Sequence, residues 1–311
     1  MLSSKSTPGA IDLIDHLGGF DINLRNNILT SIDNFAHQRG VVLETIYQQI
    51  LDKKIRAQYP NINFKFDGFS TGSHYKAFVN YRIHPDIKIE HFLCSFNGSD
   101  HVGRKLLTAA LYRRGWFDSK ISTKNFCTDV DIIDGHITDY MGDRARVYRK
   151  FFINDSNTDF FNQVYSHGWV RFEHCKNVAD LAHIICRCFV HMVSETMSTS
   201  YVPYVSEKFL YGIVTRSLFL TYGQPGWHNH VEQYYGFKKY TKIFDYRFDS
   251  IVNPVERLVA LLDELSKFSN LSADEWHDLY QLEVDTIDYN YDHYYSGGFF
   301  RQLENQYDYC A

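Results

Sequence analysis

The chain has 311 residues, which is enough for two domains or for one large domain with a sizeable core. A hydrophobic content of 44% and an aromatic content of 16% predict a globular protein. The net charge of −5 excludes a positive field over the whole chain, of the kind that drives binding to nucleic acid or anionic membranes.

The beginning of the chain has no apolar signal segment behind its lysine, and no later run reaches the length needed to cross a bilayer. The six cysteines are scattered, and a chain of this size does not need disulfide bonds to stabilise its core. We therefore expect a soluble cytoplasmic protein with reduced thiols and without membrane insertion.

In chain order, residues 21–58 carry apolar side chains at helical spacing and predict two helices joined near Gly40. The next segment alternates apolar and polar residues from Ile62 to Phe66, which predicts a strand. A loop rich in Gly and Ser is predicted to follow, from Asp67 to His74.

A second unit begins with a predicted strand over 92–96, a polar turn over 97–103 and a helix from about Gly103 to Arg114. This order of elements is typical of nucleotide-binding α/β units, in which phosphates bind at the helix N-terminus. The segment "VADLAHIICRCFVHMVSE" predicts a helix followed by a buried strand that ends at Ser194 and Glu195.

The C-terminal third continues the alternation of helices and strands. A helix is predicted from Ser206, the run "SLFLTYG" predicts a buried strand, and residues 223–226 predict a turn. Asn253 and Pro254 form an N-cap and first-turn pair for another helix. Ser272 and Glu275 form a capping box for the last long helix, predicted over about 273–290.

Polar residues at a strand end and at the next helix start form the main candidate site. If a strand ends at Glu195 and a helix opens at Ser206, then Glu195, Glu207 and Lys208 converge on one edge of the sheet. Carboxylates accept hydrogen bonds from ribose hydroxyls, while a lysine and a helix terminus attract a pyrophosphate. The alternative is a capped helix with an ordinary surface ion pair.

Further candidates flank the same predicted edge. Asn97 and Arg104 lie around the first turn of the second unit, where a fixed guanidinium favours phosphate. The alternative is an exposed arginine on a helix. Gly223 and Gln224 begin a turn that could let the backbone approach a ligand closely, although it could equally be a simple turn.

Two metal motifs are weaker. The pair Asp129 and Asp131 matches the DxD pattern by which one class of glycosyltransferases holds a metal and a nucleotide diphosphate. His and Cys residues between 174 and 188 could bind zinc, but they lack paired short spacings and are better explained as core residues. A zinc-dependent nucleic-acid module is therefore the least favoured interpretation.

The order of these sites resembles the nucleotide-sugar-binding half of the family 10 fucosyltransferases and of related phage-type glycosyltransferases. In that family a strand and a turn precede an arginine that opens a helix, as in "FLCSFNGSDHVGRKLLTAAL" here. The family then has Phe-Glu-Asn-Ser, a loop, Tyr-Val-Thr-Glu-Lys, a helix, a strand and a glycine turn. The stretch "MVSETMSTSYVPYVSEKFLYGIVTRSLFLTYGQPG" is similar, although Val-Ser-Glu-Thr replaces Phe-Glu-Asn-Ser.

The resemblance implies a GT-B fold of class α/β, with two Rossmann-like halves and a small, helix-rich N-terminal half. Residues 1–90 would form an acceptor-side domain and residues 91–268 the nucleotide-sugar-binding domain. Residues 269–311 would form a helix and tail that pack back across both. It further implies an inverting glycosyltransferase with a UDP- or GDP-linked donor and no cofactor or required metal.

By the same resemblance, Arg104 and Lys208 would neutralise the diphosphate, and Glu195 and Glu207 would hold ribose or sugar hydroxyls. Ser206 and Gly223 fall on matching motif positions. The catalytic base would come from the N-terminal part. That part shows no glutamate in "FSTGSH", the one segment similar to the family, so Asp67 and His74 are the candidates.

Two acceptors are open: a surface or capsular glycan, or the hydroxymethyl group of a modified base such as 5-hydroxymethylcytosine in phage DNA. The basic clusters "RKLLTAALYRRGW" and "RARVYRK" favour DNA, whereas the net charge disfavours it. A non-catalytic protein that binds nucleotide sugars or glycans on the same fold is the alternative function, and the missing family-type base favours it.

Overall fold

The computed structural model describes residues 22–47, 57–66, 87–97, 102–116, 120–123, 178–195, 203, 205–299 and 301–302. These residues form a mixed α/β structure built on parallel strands, as the sequence predicts.

The N-terminal region contains helix α1, Ile22–Arg39, which is followed by Gly40 with a left-handed φ of 62°. The first predicted helix is therefore confirmed, but the second is wrong at its start. Leu43–Tyr47 is strand β1, which pairs in parallel with strand β2, Ile62–Phe66. A short apolar run does not separate strand from helix by its spacing alone, and here the pairing with β2 decides the outcome.

The main sheet has four parallel strands. They are β3, His91–Asn97; β4, Lys120–Thr123; β5, Cys188–Ser194; and β6, Phe219–Tyr222. Their spatial order is β4-β3-β5-β6, so the two central strands are β3 and β5. Every residue of β5 and β6 is buried, which explains why both strands are mainly apolar in the sequence.

Eight helices accompany the strands in the described residues, α1 included. The other seven are α2, Val102–Arg113; α3, Val178–Ile185; α4, Lys208–Val214; α5, Trp227–His230; α6, Pro254–Ser266; α7, Ala273–Leu282; and α8, Val284–Tyr295. A π-helix, Val231–Tyr235, follows α5, and a 3-10 helix, Tyr246–Ser250, precedes α6.

Most predicted elements of the second unit are present with small shifts at their ends. The caps of α6 and α7 form as predicted: Asn253 accepts from the Val255 N–H, and Ser272 and Glu275 form a capping box. The helix expected at Ser206 begins at Lys208. The last long helix is in fact two, because the chain turns at Glu283, whose buried carboxylate accepts a hydrogen bond from the Lys242 N–H.

The C-terminal helices cover the central strands. Trp276 of α7 stacks on Phe92 of β3 and Phe189 of β5, with ring centroids 5.9 and 6.2 Å apart. Arg114, after α2, donates to Ser266 of α6. The helices of the described residues include none that is both long and apolar enough to span a membrane.

Candidate functional site

The carboxyl ends of β3 and β5 define a crevice. From β3 the chain continues to β4 on one side, whereas from β5 it continues to β6 on the other side. In open α/β sheets, ligands bind where the strand order reverses in this way. Asn97 ends β3, Glu195 follows β5, and Gly223 follows β6, so predicted site residues stand at the ends of three strands of one sheet.

The strand register brings polar residues to the same level of this edge. Ser95 of β3 pairs with Met192 of β5, so Asn97 and Ser194, each two residues further on, lie beside each other. Ser194 in turn pairs with Tyr222 of β6. The sequence places polar residues here because the apolar runs of β3 and β5 both end at this level.

Glu195 is the most buried charged group of the edge, with none of its surface exposed. Its Oε1 atom accepts a hydrogen bond from the Ser206 N–H at 3.0 Å. Its Oε2 atom is also buried and has no hydrogen-bond partner in the described part of the chain. Burial raises the pKa of Glu195, and Lys208 and the bonds from Ser206 offset only part of this effect.

Arg104 lies in the first turn of α2 and is only 3% exposed, which excludes an exposed surface arginine. Burial lowers its pKa, while the charges of Glu195 and Glu207 act in the opposite direction. Arg104 therefore lies within electrostatic reach of both carboxylates, although it is separated from them by many residues in the sequence. The structure brings Arg104 and the Glu195 region into one crevice.

Residues 206–208 form a connected group beside Glu195. The Nζ atom of Lys208 donates to the Ser206 hydroxyl at 3.0 Å and lies 3.7 Å from a carboxylate oxygen of Glu207. Lys208 and Glu207 are each 21% exposed, so both are accessible to solvent beside the buried Glu195. The predicted helix cap is wrong in detail, because α4 starts at Lys208 and has no side-chain hydrogen bond at its N-cap.

Two further polar atoms at this edge are buried without partners in the described residues. They are the Oδ1 atom of Asn97 and the hydroxyl of Ser194. The Asn97 amide group donates to Ser95 at 3.1 Å, which leaves Oδ1 as an acceptor. Leaving such atoms unpaired costs about 1–3 kcal/mol each, so the crevice favours a ligand or water that can hydrogen-bond.

The turn after β6 has a packing role that accounts for its glycine. A Cβ atom on Gly223 would lie 2.7 Å from Cδ1 of Trp227, whose side chain is 1% exposed. The Gly223 carbonyl accepts a hydrogen bond from Arg257 at 3.0 Å. Gln224 is fully buried, and its carbonyl accepts from the Trp227 N–H. These contacts tie the turn to α5 and α6.

A second buried polar cluster, which sequence reasoning missed, consists of His228, Asp249 and the Thr221 N–H. His228 Nδ1 lies 2.8 Å from Asp249, and its Nε2 accepts from the Thr221 N–H at 3.1 Å. Burial raises the pKa of Asp249, but His228 and backbone hydrogen bonds outweigh this and hold it below its usual value. The two side chains are 21 positions apart in different elements, and no sequence motif links them.

Other predicted candidates fall elsewhere. Asp67, His74, Asp129 and Asp131 lie outside the described residues. Cys94, Cys186 and Cys188 are buried free thiols. The described ranges contain no group of three or more His, Cys, Asp or Glu side chains arranged to hold a metal ion.

Comparison with known proteins finds no matching family model, no matching curated protein and no matching solved structure. The interpretation of the crevice therefore rests on its own geometry and charge.

Proposed function

We propose that this protein is a glycosyltransferase that moves a sugar from a nucleotide diphosphate sugar to an acceptor hydroxyl. One observation carries the proposal: Arg104, Lys208 and the buried Glu195 meet at the carboxyl edge of a parallel sheet, where the strand order reverses. This combination of two cations and a buried acceptor suits a ligand that has both phosphates and hydroxyls.

In the proposed reaction, each polar group has a defined task. Arg104 and Lys208 neutralise the diphosphate and stabilise it as it departs from the sugar. The N-terminus of α2, a twelve-residue helix, adds favourable N–H groups on the same side. Glu195 and Glu207 accept hydrogen bonds from ribose or sugar hydroxyls, and Asn97 supplies a further acceptor.

The finer features of the proposal follow the resemblance described above. We propose a GT-B arrangement, inversion at the anomeric carbon and a UDP- or GDP-linked donor. Two cationic side chains supply the positive charge that a metal supplies in other transferases, so the proposed transfer is metal-independent. The base that removes the acceptor proton comes from the N-terminal part, with Asp67 and His74 as candidates.

The first test is a thermal-shift panel with UDP, GDP, CDP and ADP and their sugars. We expect one nucleotide series to raise the melting temperature, because a ligand that binds only the folded state stabilises it. A protein that none of these ligands stabilises would contradict the proposal.

The matched variants for this panel are Lys208→Ala and Lys239→Ala. Lys208 faces the crevice, whereas Lys239 pairs with Glu232 at 3.0 Å and donates to Asn229 outside it. We expect the nucleotide-dependent shift to fall at least severalfold in Lys208→Ala and to persist in Lys239→Ala. Equal losses in both variants would indicate a general effect of charge instead of a site.

Turnover separates the enzyme from a non-catalytic nucleotide-sugar-binding protein. Release of free nucleoside diphosphate from the donor, measured with and without candidate glycans or hydroxymethylated duplex DNA, is expected only for the enzyme. Stimulation by DNA, together with a salt-dependent gel shift, would identify a DNA acceptor, whereas stimulation by a glycan without a gel shift would identify a glycan acceptor. Nucleotide binding without any turnover would favour the binding protein.

A further inference from the structure

Among the described residues, the charged groups of the crevice balance one another before any ligand enters. Arg104 and Lys208 contribute two positive charges, and Glu195 and Glu207 can contribute two negative charges. A nucleotide diphosphate sugar brings a dianionic pyrophosphate into this group. The bound crevice then carries two net negative charges, and protonation of one acid would halve this excess.

The two carboxylates differ in how well their surroundings stabilise a negative charge. Glu207 is 21% exposed and lies 3.7 Å from the Lys208 ammonium, so water and an ion pair stabilise its charge. Glu195 is fully buried, and only one of its oxygens has a hydrogen-bond partner in the described residues. Glu195 is therefore the acid that becomes protonated when a dianion binds beside it.

We propose that the site binds its nucleotide diphosphate sugar together with one proton, taken from solvent and held on the Oε2 atom of Glu195. This inference rests on the proposed function. In the bound state Oε2–H becomes a donor that can hydrogen-bond to a ligand oxygen, while Oε1 still accepts from the Ser206 N–H. The buried carboxyl thus changes from a group that repels the diphosphate to one that binds it.

The surrounding groups support this assignment. Glu195 faces Arg104 from α2, and it faces Glu207 and Lys208 from the segment that opens α4. Tyr211 of α4 lies near Glu207, and its pKa is raised by burial, so it stays neutral near pH 7. His191 lies on β5 itself, and burial lowers its pKa to about 3, so it does not exchange a proton between pH 5 and 8.

The sign of the pH dependence follows from linkage. The pKa of Glu195 is already raised in the free protein, and a bound dianion raises it further. Between the free and bound pKa values, binding takes up a proton, and the affinity falls roughly tenfold per pH unit as pH rises. Below the free value Glu195 is already protonated, so the affinity there does not depend on pH.

Calorimetric titration in two buffers with different ionisation enthalpies measures the proton directly. The probe is UDP-glucose or GDP-mannose, whichever stabilises the protein, because the pyrophosphate diester of these compounds does not titrate near neutral pH. We expect the wild-type protein to take up a proton within the range from pH 5 to 8. Its affinity should fall as pH rises across the interval in which the uptake is seen.

Two variants identify the group. Glu195→Gln replaces the carboxyl with a neutral group of the same shape, so we expect binding without proton uptake and an affinity independent of pH. Glu207→Gln removes the other carboxylate, so we expect proton uptake to persist. Unchanged uptake in Glu195→Gln, or binding by wild type with no uptake at any pH from 5 to 8, would overturn the inference. If neither donor binds, the proposed function itself fails and the inference fails with it.

Discussion

Two buried polar clusters adjoin neighbouring strands of the main sheet, since Glu195 follows β5 and His228 bonds to Thr221 of β6. They differ in how completely their atoms are paired. In the cluster of His228 and Asp249, both imidazole nitrogens and both carboxylate oxygens have hydrogen-bond partners. In the cluster around Glu195, one carboxylate oxygen and the Oδ1 atom of Asn97 have none in the described residues.

This difference in pairing indicates which polar cluster is structural. A fully paired cluster gains nothing from a ligand, and His228 uses its Nε2 to cover the Thr221 N–H on the outer strand β6. A partly paired cluster carries a cost of unsatisfied atoms, which a ligand can remove. Under the proposed function, the His228 cluster serves stability and the Glu195 cluster serves binding, and variants of each can test that division.

The largest expected effect comes from Asp249→Ala. The change leaves His228 and two backbone N–H groups without their acceptor in a buried region. We expect a loss of about 3–5 kcal/mol in the free energy of unfolding, measured by urea denaturation. Asp285→Ala is the control, because its side chain is 90% exposed, and it should change stability by less than about 0.5 kcal/mol. A loss below about 1 kcal/mol in Asp249→Ala would contradict a structural role.

Gly223→Ala tests the turn that follows β6. The added Cβ would contact the buried Trp227 ring at 2.7 Å, so we expect a loss of about 1–3 kcal/mol in stability from overpacking. The nucleotide-dependent thermal shift should persist, because the glycine is explained by Trp227 packing. If the variant keeps its stability but loses the shift, then the turn contacts the ligand.

The sequence predicts which strands and which residues form the cluster around Glu195, but it does not predict how their atoms are hydrogen-bonded. The apolar runs of β3 and β5 identify the strands, and the parallel arrangement then brings Arg104 and Glu195 to one edge despite their distance along the chain. Local signals also predict the caps at Asn253 and Ser272, because a cap depends on residues only two or three positions apart.

Features that depend on distant contacts could not be predicted in this way. The break between α7 and α8 accompanies a hydrogen bond from Lys242 to Glu283, which lies 41 positions away. The strand β1 is fixed by its pairing with β2. The pairing of His228 with Asp249 has no local pattern, and the hydrogen bond from the Ser206 N–H to Glu195 joins residues 11 positions apart.

The pH dependence of stability should differ in sign between the two clusters. Because burial raises the pKa of Glu195, its contribution is full below the usual glutamate value of about 4.3 and declines as pH rises through the raised pKa. Because the pKa of Asp249 is lowered, its contribution is full above about pH 3.9 and declines as pH falls.

Glu195→Gln measures the first of these terms. We expect the variant to match wild type near pH 4 and to become more stable than wild type, by about 1 kcal/mol or more, as pH rises. Thermal unfolding from pH 4 to 8 records the difference. Asp249→Asn gives the opposite comparison in a scan extended to about pH 2, because its gap to wild type should close only below about pH 3.9. A constant gap between wild type and Glu195→Gln at every pH would show that Glu195 does not titrate with a raised pKa.

The smallest expected effect on stability comes from Ser206→Ala. The backbone N–H of residue 206 still donates to Glu195, and the variant loses the hydroxyl, which accepts from Lys208 and also contacts Glu195, so we expect a change of about 0.5–1.5 kcal/mol. Ser217→Ala is the matched control, since Ser217 is an equally buried serine whose hydroxyl bonds to Thr215. Both variants should lose similar stability, but only Ser206→Ala should weaken the nucleotide-dependent thermal shift, because Lys208 loses the bond that orients it. Equal shifts in both variants would mean that the Lys208 ammonium contributes its charge without needing a fixed position, as lysines at flexible phosphate sites do.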